Sequence, residues 1–343
     1  MKSLNVSIDV GGTHTRLKAE MIVDGNLDFS SIEFKQKIGS KEELRNFITS
    51  SLSQINLKCL PTHCVIGFAG AVIDHKKVAI TNWKNAPTIV LEDLKKWGLP
   101  TNKTIMVNDM ELAGYGILDM EEKNEMNSDH FEILYKPDFP TQNKINNKLI
   151  IAPGTGFGTA SIIEFTAFSG EKVKNVLSSE IQHIQIPSFD KRHAEIISII
   201  LSRKTERNFL NYEDFVSGKG LCETYEAILK LEGVDLEDKN ASEIADSAVN
   251  GSDKDTVEAL NIFYRCVGRI IQAMALNVQP YGGIFLCGAS TISNAKFIHQ
   301  STLIDEFHNC LIRQQLLTQF PVYIITKPDI NIAGGLWACR NIL

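Results

Sequence analysis

The sequence predicts an α/β protein of two domains, and three observations carry that prediction. Strand-like and helix-like apolar patterns alternate along the chain, the signature of sheets layered with helices. The chain is 343 residues long, which at roughly 150 residues per domain makes two. Glycine-rich turns close apolar strands at Gly11-Gly12, at Gly154-Thr155-Gly156 and at Gly288. Apolar residues make up 43% before the 23 glycines are added, so a sizeable core is available and wholesale disorder is excluded.

Taken in order, residues 4–10 read as a strand and 15–23 as a second, joined by Gly11-Gly12-Thr13 in a hairpin. Ser40-Lys41-Glu42-Glu43 resembles a capping box and opens a helix with Leu44, Phe47, Ile48, Leu52 and Ile55 on one face. Residues 63–69 and 103–107 read as strands, and 110–120 as a helix that starts directly after Asn108-Asp109. From 121 to 148 the composition turns polar and periodicity fades, which predicts a surface excursion and not a domain linker. The strand pattern resumes at 148–152 and 159–165 around the loop 153–158. A long helix over 256–278 carries Val257, Leu260, Tyr264, Val267, Ile271, Met274 and Val278 on one face. A strand at 283–287 meets Gly288, and 332–343 reads as a terminal helix. There is no repeat at solenoid periods and no low-complexity tract.

Charge and cysteine usage exclude several classes. Lys and Arg total 35 against 41 Asp and Glu, a net charge of −6, which leaves no electrostatic footprint for nucleic acid or an anionic membrane. The 7 cysteines are odd in number and lack CxxC spacing, which predicts reduced thiols in a cytoplasm. The first five residues have no apolar signal core, so no targeting peptide is expected. The charge-free stretch 270–295 is broken by Asn277, Gln279, Pro280, Gly282 and Gly283, short of the roughly 18–20 apolar residues that span a bilayer.

The glycine turns suggest phosphate. In Asp9-Val10-Gly11-Gly12-Thr13, adjacent glycines let backbone N–H groups converge without obstruction, and Asp9 can hold Mg²⁺ through water. Pro153-Gly154-Thr155-Gly156-Phe157-Gly158 is a second such turn. It lacks the Lys-Ser/Thr ending of a P-loop, and strand instead of helix follows it, unlike the dinucleotide fingerprint. The structural alternative for the first is an ordinary hairpin turn solvated by Asp9, and for the second a tight hairpin with glycines at positive φ. Gly282 to Ala289 is an apolar strand that ends in small residues, where a base or ribose can approach the backbone; the alternative is a core strand ending in a turn.

Polar candidates gather elsewhere. Asn108-Asp109 sits where a buried strand leaves its sheet, so Asp109 can accept a proton from a substrate hydroxyl while Asn108 fixes a sugar. Either residue can equally cap the following helix. Glu180 and His183 converge on one ligand if Glu180-Ile181-Gln182-His183 forms a turn, which suits a polyol. A zinc site is disfavoured there, since no Cys or second His lies at ligand spacing. Glu213 precedes another turn, with surface solvation as its alternative.

The ordered set DVGGTHTR, ITN, VNDM, APGTGFG, EIQH, EDFVSGKG and GGIFLCGA, with a late GG, resembles the bacterial-type ATP-dependent glucokinases of the actin–hexokinase superfamily from residue 6 to 343. The resemblance implies an actin–hexokinase-like α/β fold with a substrate cleft between a smaller domain (1–109 plus the C-terminal helix 331–343) and a larger one (110–330). It implies transfer of the ATP γ-phosphoryl group to the 6-hydroxyl of glucose, with Mg²⁺, small-molecule partners only, and for many members a homodimer. By motif, Asp9, Gly11, Gly12 and Thr13 match the first phosphate loop, Gly154, Thr155 and Gly156 the second, and Gly288 the approach to adenosine. Asp109 matches the general base, and Asn82, Asn108, Glu180, His183 and Glu213 the hexose ligands.

The chain departs from the family pattern in having Ile181-Gln182 where two glycines are usual, and in the placement of Trp83 beside Asn82. A kinase for mannose, fructose or an N-acetylhexosamine is the alternative within the class, and a catalytically silent sugar sensor the alternative outside it. The CxCGxxGC-type zinc site of the related repressor–kinase group is absent, as is a basic N-terminal DNA-binding module.

Overall fold

The structure, a computed structural model, describes residues 2–12, 14–55, 59–80, 83–100, 102–126, 129–138 and 145–343. The chain divides into two units, Met1–Asn127 with Asp329–Leu343, and Ser128–Pro328.

In the first unit β1 (Lys2–Val10) turns back into β2 (Thr15–Val23), and both β3 (Asn26–Ser30) and β4 (Phe34–Gln36) pair with β2. Helix α1 (Lys41–Ile55) buries Leu44, Phe47, Ile48 and Ile55 as its periodicity requires. Its cap is a displaced box: Glu43 N donates to Ser40 Oγ at 3.2 Å, while the Glu43 carboxylate reaches Gly39 N at 2.8 Å. β5 (His63–Phe68) lies parallel to β1. A small sheet of β6 (Val72–Ile73), β7 (Lys77–Ala79) and β8 (Thr88–Val90) and the short α2 (Leu91–Lys96) lead to β9 (Thr104–Asn108), parallel to β5. The main sheet runs β3-β2-β1-β5-β9. Its inner strands are buried on both faces: Val6, Ile8, Val10, Cys64, Ile66 and Phe68 form one apolar face, while the other face of β1 buries the polar Asn5, Ser7 and Asp9.

β9 runs straight into α3 (Asp109–Glu122), which is buried almost continuously from Met110 to Met120. Its neighbour is the chain's last helix, Ile330–Asn341, and glycines let the two backbones approach. A Cβ at Gly334 would overlap the Leu112 carbonyl, one at Gly116 the Ile330 carbonyl, and one at Gly335 the Ser7 hydroxyl. Arg340 adds bonds to Glu20 at 2.6 Å and Asp119 at 2.8 Å. The sequence expectation began the second domain at residue 110. The structure keeps α3 in the first unit, because this glycine-lined seam ties it to the terminal helix.

The second unit repeats the plan. β10 (Phe131–Tyr135) precedes a meander of β11 (Lys148–Pro153), β12 (Phe157–Thr166) and β13 (Lys172–Ser179). Helices α4 (Lys191–Ser202), α5 (Gly218–Glu232), α6 (Ala241–Asn250) and α7 (Lys254–Val278) follow. Then come β14 (Gly283–Leu286), α8 (Ala289–Ile298), α9 (Leu303–His308), α10 (Gln314–Leu317) and β15 (Val322–Ile325), before α11, the terminal helix already described. The sheet runs β10-β15-β14-β11-β12-β13, with β14 parallel to both β11 and β15. α7 carries the core through Leu260, Phe263, Tyr264, Val267, Ile271 and Met274. The polar stretch 121–148 is more than an excursion, since β10 inside it pairs antiparallel with β15 and sets Phe131 4.5 Å from Tyr323. Among the described residues no helix is long and apolar enough to cross a membrane, and all seven cysteines are free thiols.

The seam between α3 and α11 predicts a sharp contrast. Gly334→Ala should destabilise the protein by about 1–3 kcal/mol, the usual range for overpacking a tight site. Gly12→Ala, where a Cβ meets nothing within 4 Å, should leave the melting temperature within a degree or two of wild type. Equal melting temperatures for the two variants would contradict the seam.

Candidate active site

In the first unit the parallel register aligns the strand ends. Val10 pairs with Phe68 and Phe68 with Asn108, so the carboxyl ends of β1, β5 and β9 form one edge. With strands about 4.8 Å apart, the β1 and β9 ends are separated by about 10 Å. Asp9 and the Gly11-Gly12 turn stand at one end of this edge and Asn108-Asp109 at the other.

Neither Gly11 nor Gly12 adopts positive φ in the turn that joins β1 to β2. Gly11 N donates to His14 O at 3.2 Å, and space around Gly12 is open. Asp9 is buried, and Asn331 Nδ2 donates to its Oδ1 at 3.5 Å. Burial pushes the Asp9 carboxyl up to about 6 from its ordinary 3.8, against the Asn331 hydrogen bond and Arg16 and with help from Glu33.

At the other end, the capping question resolves to Asn108. Its Oδ1 accepts from Met110 N at 2.8 Å and its Nδ2 donates to Gly70 O at 3.0 Å. Asp109 is therefore the first residue of α3, where the helix dipole favours its negative charge. Asn108 keeps one N–H and one lone pair beyond these bonds. Thr13 and Asn82 lie outside the described residues.

The second unit uses the same kind of edge. Pro153 pairs with Phe157 across the β11–β12 turn, and Gly154 N donates to Gly156 O at 2.8 Å. Gly154 and Gly156 also avoid positive φ. Ile151 pairs with Leu286, which brings Gly288 to the same edge. Gly288 has φ 101°, a conformation that favours glycine, and it begins α8, whose Ser290 hydroxyl donates to the Pro153 carbonyl. A cavity of about 250 Å³ opens here, lined by Gly154, Thr155, Ser290, Ser293 and Asn294 with Leu260, Phe263 and Ala245. Its mixed wall suits a planar base and a ribose.

Ser179 pairs with Thr159, so Glu180 emerges beside the glycine loop. The turn expected after it is a short 3₁₀ helix, Ile181–His183. It sets His183 Nε2 3.3 Å from Glu180 Oε2 and His183 Nδ1 3.4 Å from Glu213 Oε2. A Cβ at Gly156 would stand 3.0 Å from Glu213 Oε1, so the glycine loop and this carboxylate are immediate neighbours. Glu213 lies in a turn that ends in Asp214. Asp214 accepts from Asn211 N at 2.8 Å and from Lys204 Nζ at 2.7 Å, and Arg207 donates to both its oxygens. Burial pushes the Asp214 carboxyl up, but these donors overcome it and hold it below the ordinary range. A polar cavity of about 380 Å³ is lined by Thr155, His183, Glu213, Lys204, Arg207 and Lys219.

The sequence reading missed Asn331, Ser290, Lys204 and Arg207. Ser290 follows Gly288 by two residues and could have been found with that strand ending. Asn331 could not, since it lies 322 residues from Asp9 in sequence.

The family model for glucokinase matches residues 6–341. The chain belongs to the glucokinase family. A glucokinase of Nitrobacter hamburgensis is 24% identical over 97% of this chain and 96% of its own length. The solved glucokinase of Balamuthia mandrillaris in complex with glucose superposes with TM-score 0.86 and 25% identity, covering 99% of this chain and 94% of that one. A ROK family glucokinase from Streptomyces griseus in complex with glucose and AMPPNP shares the fold at TM-score 0.58 and 17% identity, over 98% of this chain and 99% of that one. As a glucokinase-family member the chain is an ATP-dependent hexose kinase with the actin–hexokinase-like fold.

The Asp9 environment has a pH signature. The folded state holds this proton more tightly than the unfolded chain, so stability falls as pH rises from 3.8 to about 6 and the penalty is complete above that. Asp9→Asn should therefore melt higher than wild type at about pH 7.5, by up to about 3 kcal/mol, with the gap closing toward about pH 4. A gap that widens on acidification would contradict the burial.

Proposed function

We propose that the chain transfers the γ-phosphoryl group of ATP to the 6-hydroxyl of glucose, using the residues described above. The observation that carries this reading is the close approach of Glu213 Oε1 to Gly156, where an added Cβ would stand 3.0 Å from it; it supports a phosphate role for the turn beside a hydroxyl role for the cluster. Glu180, His183 and Glu213 hold sugar hydroxyls, each of which can both donate and accept. Backbone N–H groups of the Gly11-Gly12 and Gly154–Gly156 turns take the phosphates, and the cavity beside Ser290 and Asn294 takes the adenosine. The glucose and AMPPNP complexes of the structural relatives support these ligand classes.

In the transfer, Asp109 accepts the proton of the 6-hydroxyl as that oxygen bonds to the γ-phosphorus. The bond from the γ-phosphorus to the bridging oxygen breaks, and ADP leaves. Asn108 fixes the start of α3 and so the position of Asp109. The donor chemistry suits Mg²⁺: Asp9 is a buried carboxylate with no ion pair among the described residues, and Mg²⁺ is commonly held by one or two carboxylates, waters and substrate phosphates. When bound, Mg²⁺ supplies positive charge against the phosphates, and Asp9 holds it through water. Seven free thiols support a reducing compartment, the cytoplasm.

A coupled ADP-release assay over glucose, mannose, fructose and N-acetylglucosamine tests the reading, which requires glucose to give the highest kcat/KM. Asp109→Asn should fold normally, since Asn108 supplies the cap, and should still bind glucose in calorimetry. Its kcat should fall by at least about a hundredfold. Near-normal kcat would sink the mechanism. Gly154→Val should raise the KM for ATP by about tenfold or more, with glucose KM near wild type, because the backbone there has room for a side chain but not for a side chain and a phosphate. Equal losses for both substrates would mark the turn as structural.

A further inference from the structure

The 3₁₀ turn between Glu180 and His183 contains a polar residue that the proposed reaction does not use. Gln182 is 6% exposed, and its Nε2 donates to Glu180 Oε2 at 2.7 Å. Its Oε1 is buried with no hydrogen-bond partner among the described residues. The amide cannot be turned to satisfy that oxygen, since doing so would set Oε1 against the carboxylate and lose the only donor. An unpartnered buried acceptor is destabilising, and a Leu or Met would fill the same volume without it. The amide is kept in an orientation that serves Glu180 at the expense of its own carbonyl.

Glu180 itself is half exposed, with its carboxylate on a side chain that has three rotatable bonds. The same oxygen that takes the Gln182 N–H also faces His183 Nε2 at 3.3 Å. Both contacts are on Oε2, which leaves Oε1 outside them. We propose that Gln182 is a positioning residue: its amide clamps Oε2 of Glu180 so that Oε1 is presented to a sugar hydroxyl. The proposal rests on the reading of Glu180 as a hexose ligand. The clamp lowers the entropy lost when glucose binds, so it acts on sugar affinity and leaves the phosphoryl-transfer step alone.

Gln182→Met keeps the volume and removes the amide. It should raise glucose KM about fivefold or more, though less than Glu180→Ala, for which tenfold to a hundredfold is expected. kcat and the KM for ATP should stay within about twofold, and the melting temperature should hold or rise, since the orphaned oxygen is gone. In the Glu180→Ala background, Gln182→Met should add nothing further to glucose KM. Gln182→Glu supplies a conservative rescue: two carboxyls this close share a proton in acid, and the protonated one donates as the amide does. Its glucose KM should approach wild type as pH falls and worsen as pH rises, a limb absent from wild type and from Gln182→Met.

An unchanged glucose KM in Gln182→Met, with Glu180→Ala still defective, overturns the clamp and leaves the sugar site standing. A fall in melting temperature with equal losses for glucose and ATP also overturns it, as a merely structural role. An unchanged glucose KM in Glu180→Ala removes the sugar-ligand reading and the clamp together. Should Gln182→Met fail to accumulate as folded protein, the Gln182→Glu profile decides alone, and a flat profile counts against the clamp.

Discussion

Parallel pairing of β1, β5 and β9 in one sheet, and of β11, β14 and β15 in the other, is the constraint on which the placement of each unit's candidate residues depends. Parallel strands carry all their carboxyl ends to one edge, so residues far apart in sequence arrive side by side. Asp9 and Asp109 are a hundred positions apart, yet the register of Val10, Phe68 and Asn108 sets them on one line. A slip of one residue in β9 would turn Asn108 away from Met110 N and Gly70 O, and the first turn of α3 would lose both its cap and its anchor.

Glycine serves two opposed purposes in this chain, and the structure separates them. At Gly116, Gly334 and Gly335 a side chain would collide with backbone or with Ser7, so the missing Cβ permits two helices and a strand to approach. At Gly12 and Gly154 no protein atom lies within 3.4 Å of the would-be Cβ and the backbone angle needs no glycine. That distinction cannot be drawn from the letters, which is why the turns first read equally well as plain hairpins.

The legible part of the fold was what local periodicity encodes. The strand 15–23, the α1 face and the long α7 came directly from alternation and from the 3.6-residue repeat. β10 was illegible because an edge strand of mixed burial, Phe131–Tyr135, shows no clean alternation. Placement of α3 was illegible because its partner is the last helix of the chain, joined through glycines that no helical pattern marks. The shared order of the two sheets, three antiparallel strands followed by two parallel ones, left no trace as a sequence repeat. Hydrogen-bond pattern and burial constrain a strand to be apolar, and many apolar sequences satisfy that. Of the candidate site, the motifs located Glu180, His183 and Glu213, whereas Asn331, Lys204 and Arg207 act through contacts that only the folded chain creates.

The chemistry of the Glu180–His183–Glu213 cluster suits hydroxyls. Both nitrogens of His183 face a carboxylate oxygen, at 3.3 Å and 3.4 Å. A neutral imidazole has one N–H and one lone pair, so it can satisfy only one of those two acceptors. Both distances exceed the 2.7–2.9 Å typical of a charge-assisted bond, so neither contact is closed tightly. A group that donates and accepts at once resolves the mismatch: a hydroxyl gives its proton to the imidazole lone pair or to a carboxylate and takes the imidazole N–H in return. Gln182 completes the pattern with a neutral donor that holds Glu180 without cancelling its charge, and a lysine in its place would have neutralised the acceptor that a sugar hydroxyl needs.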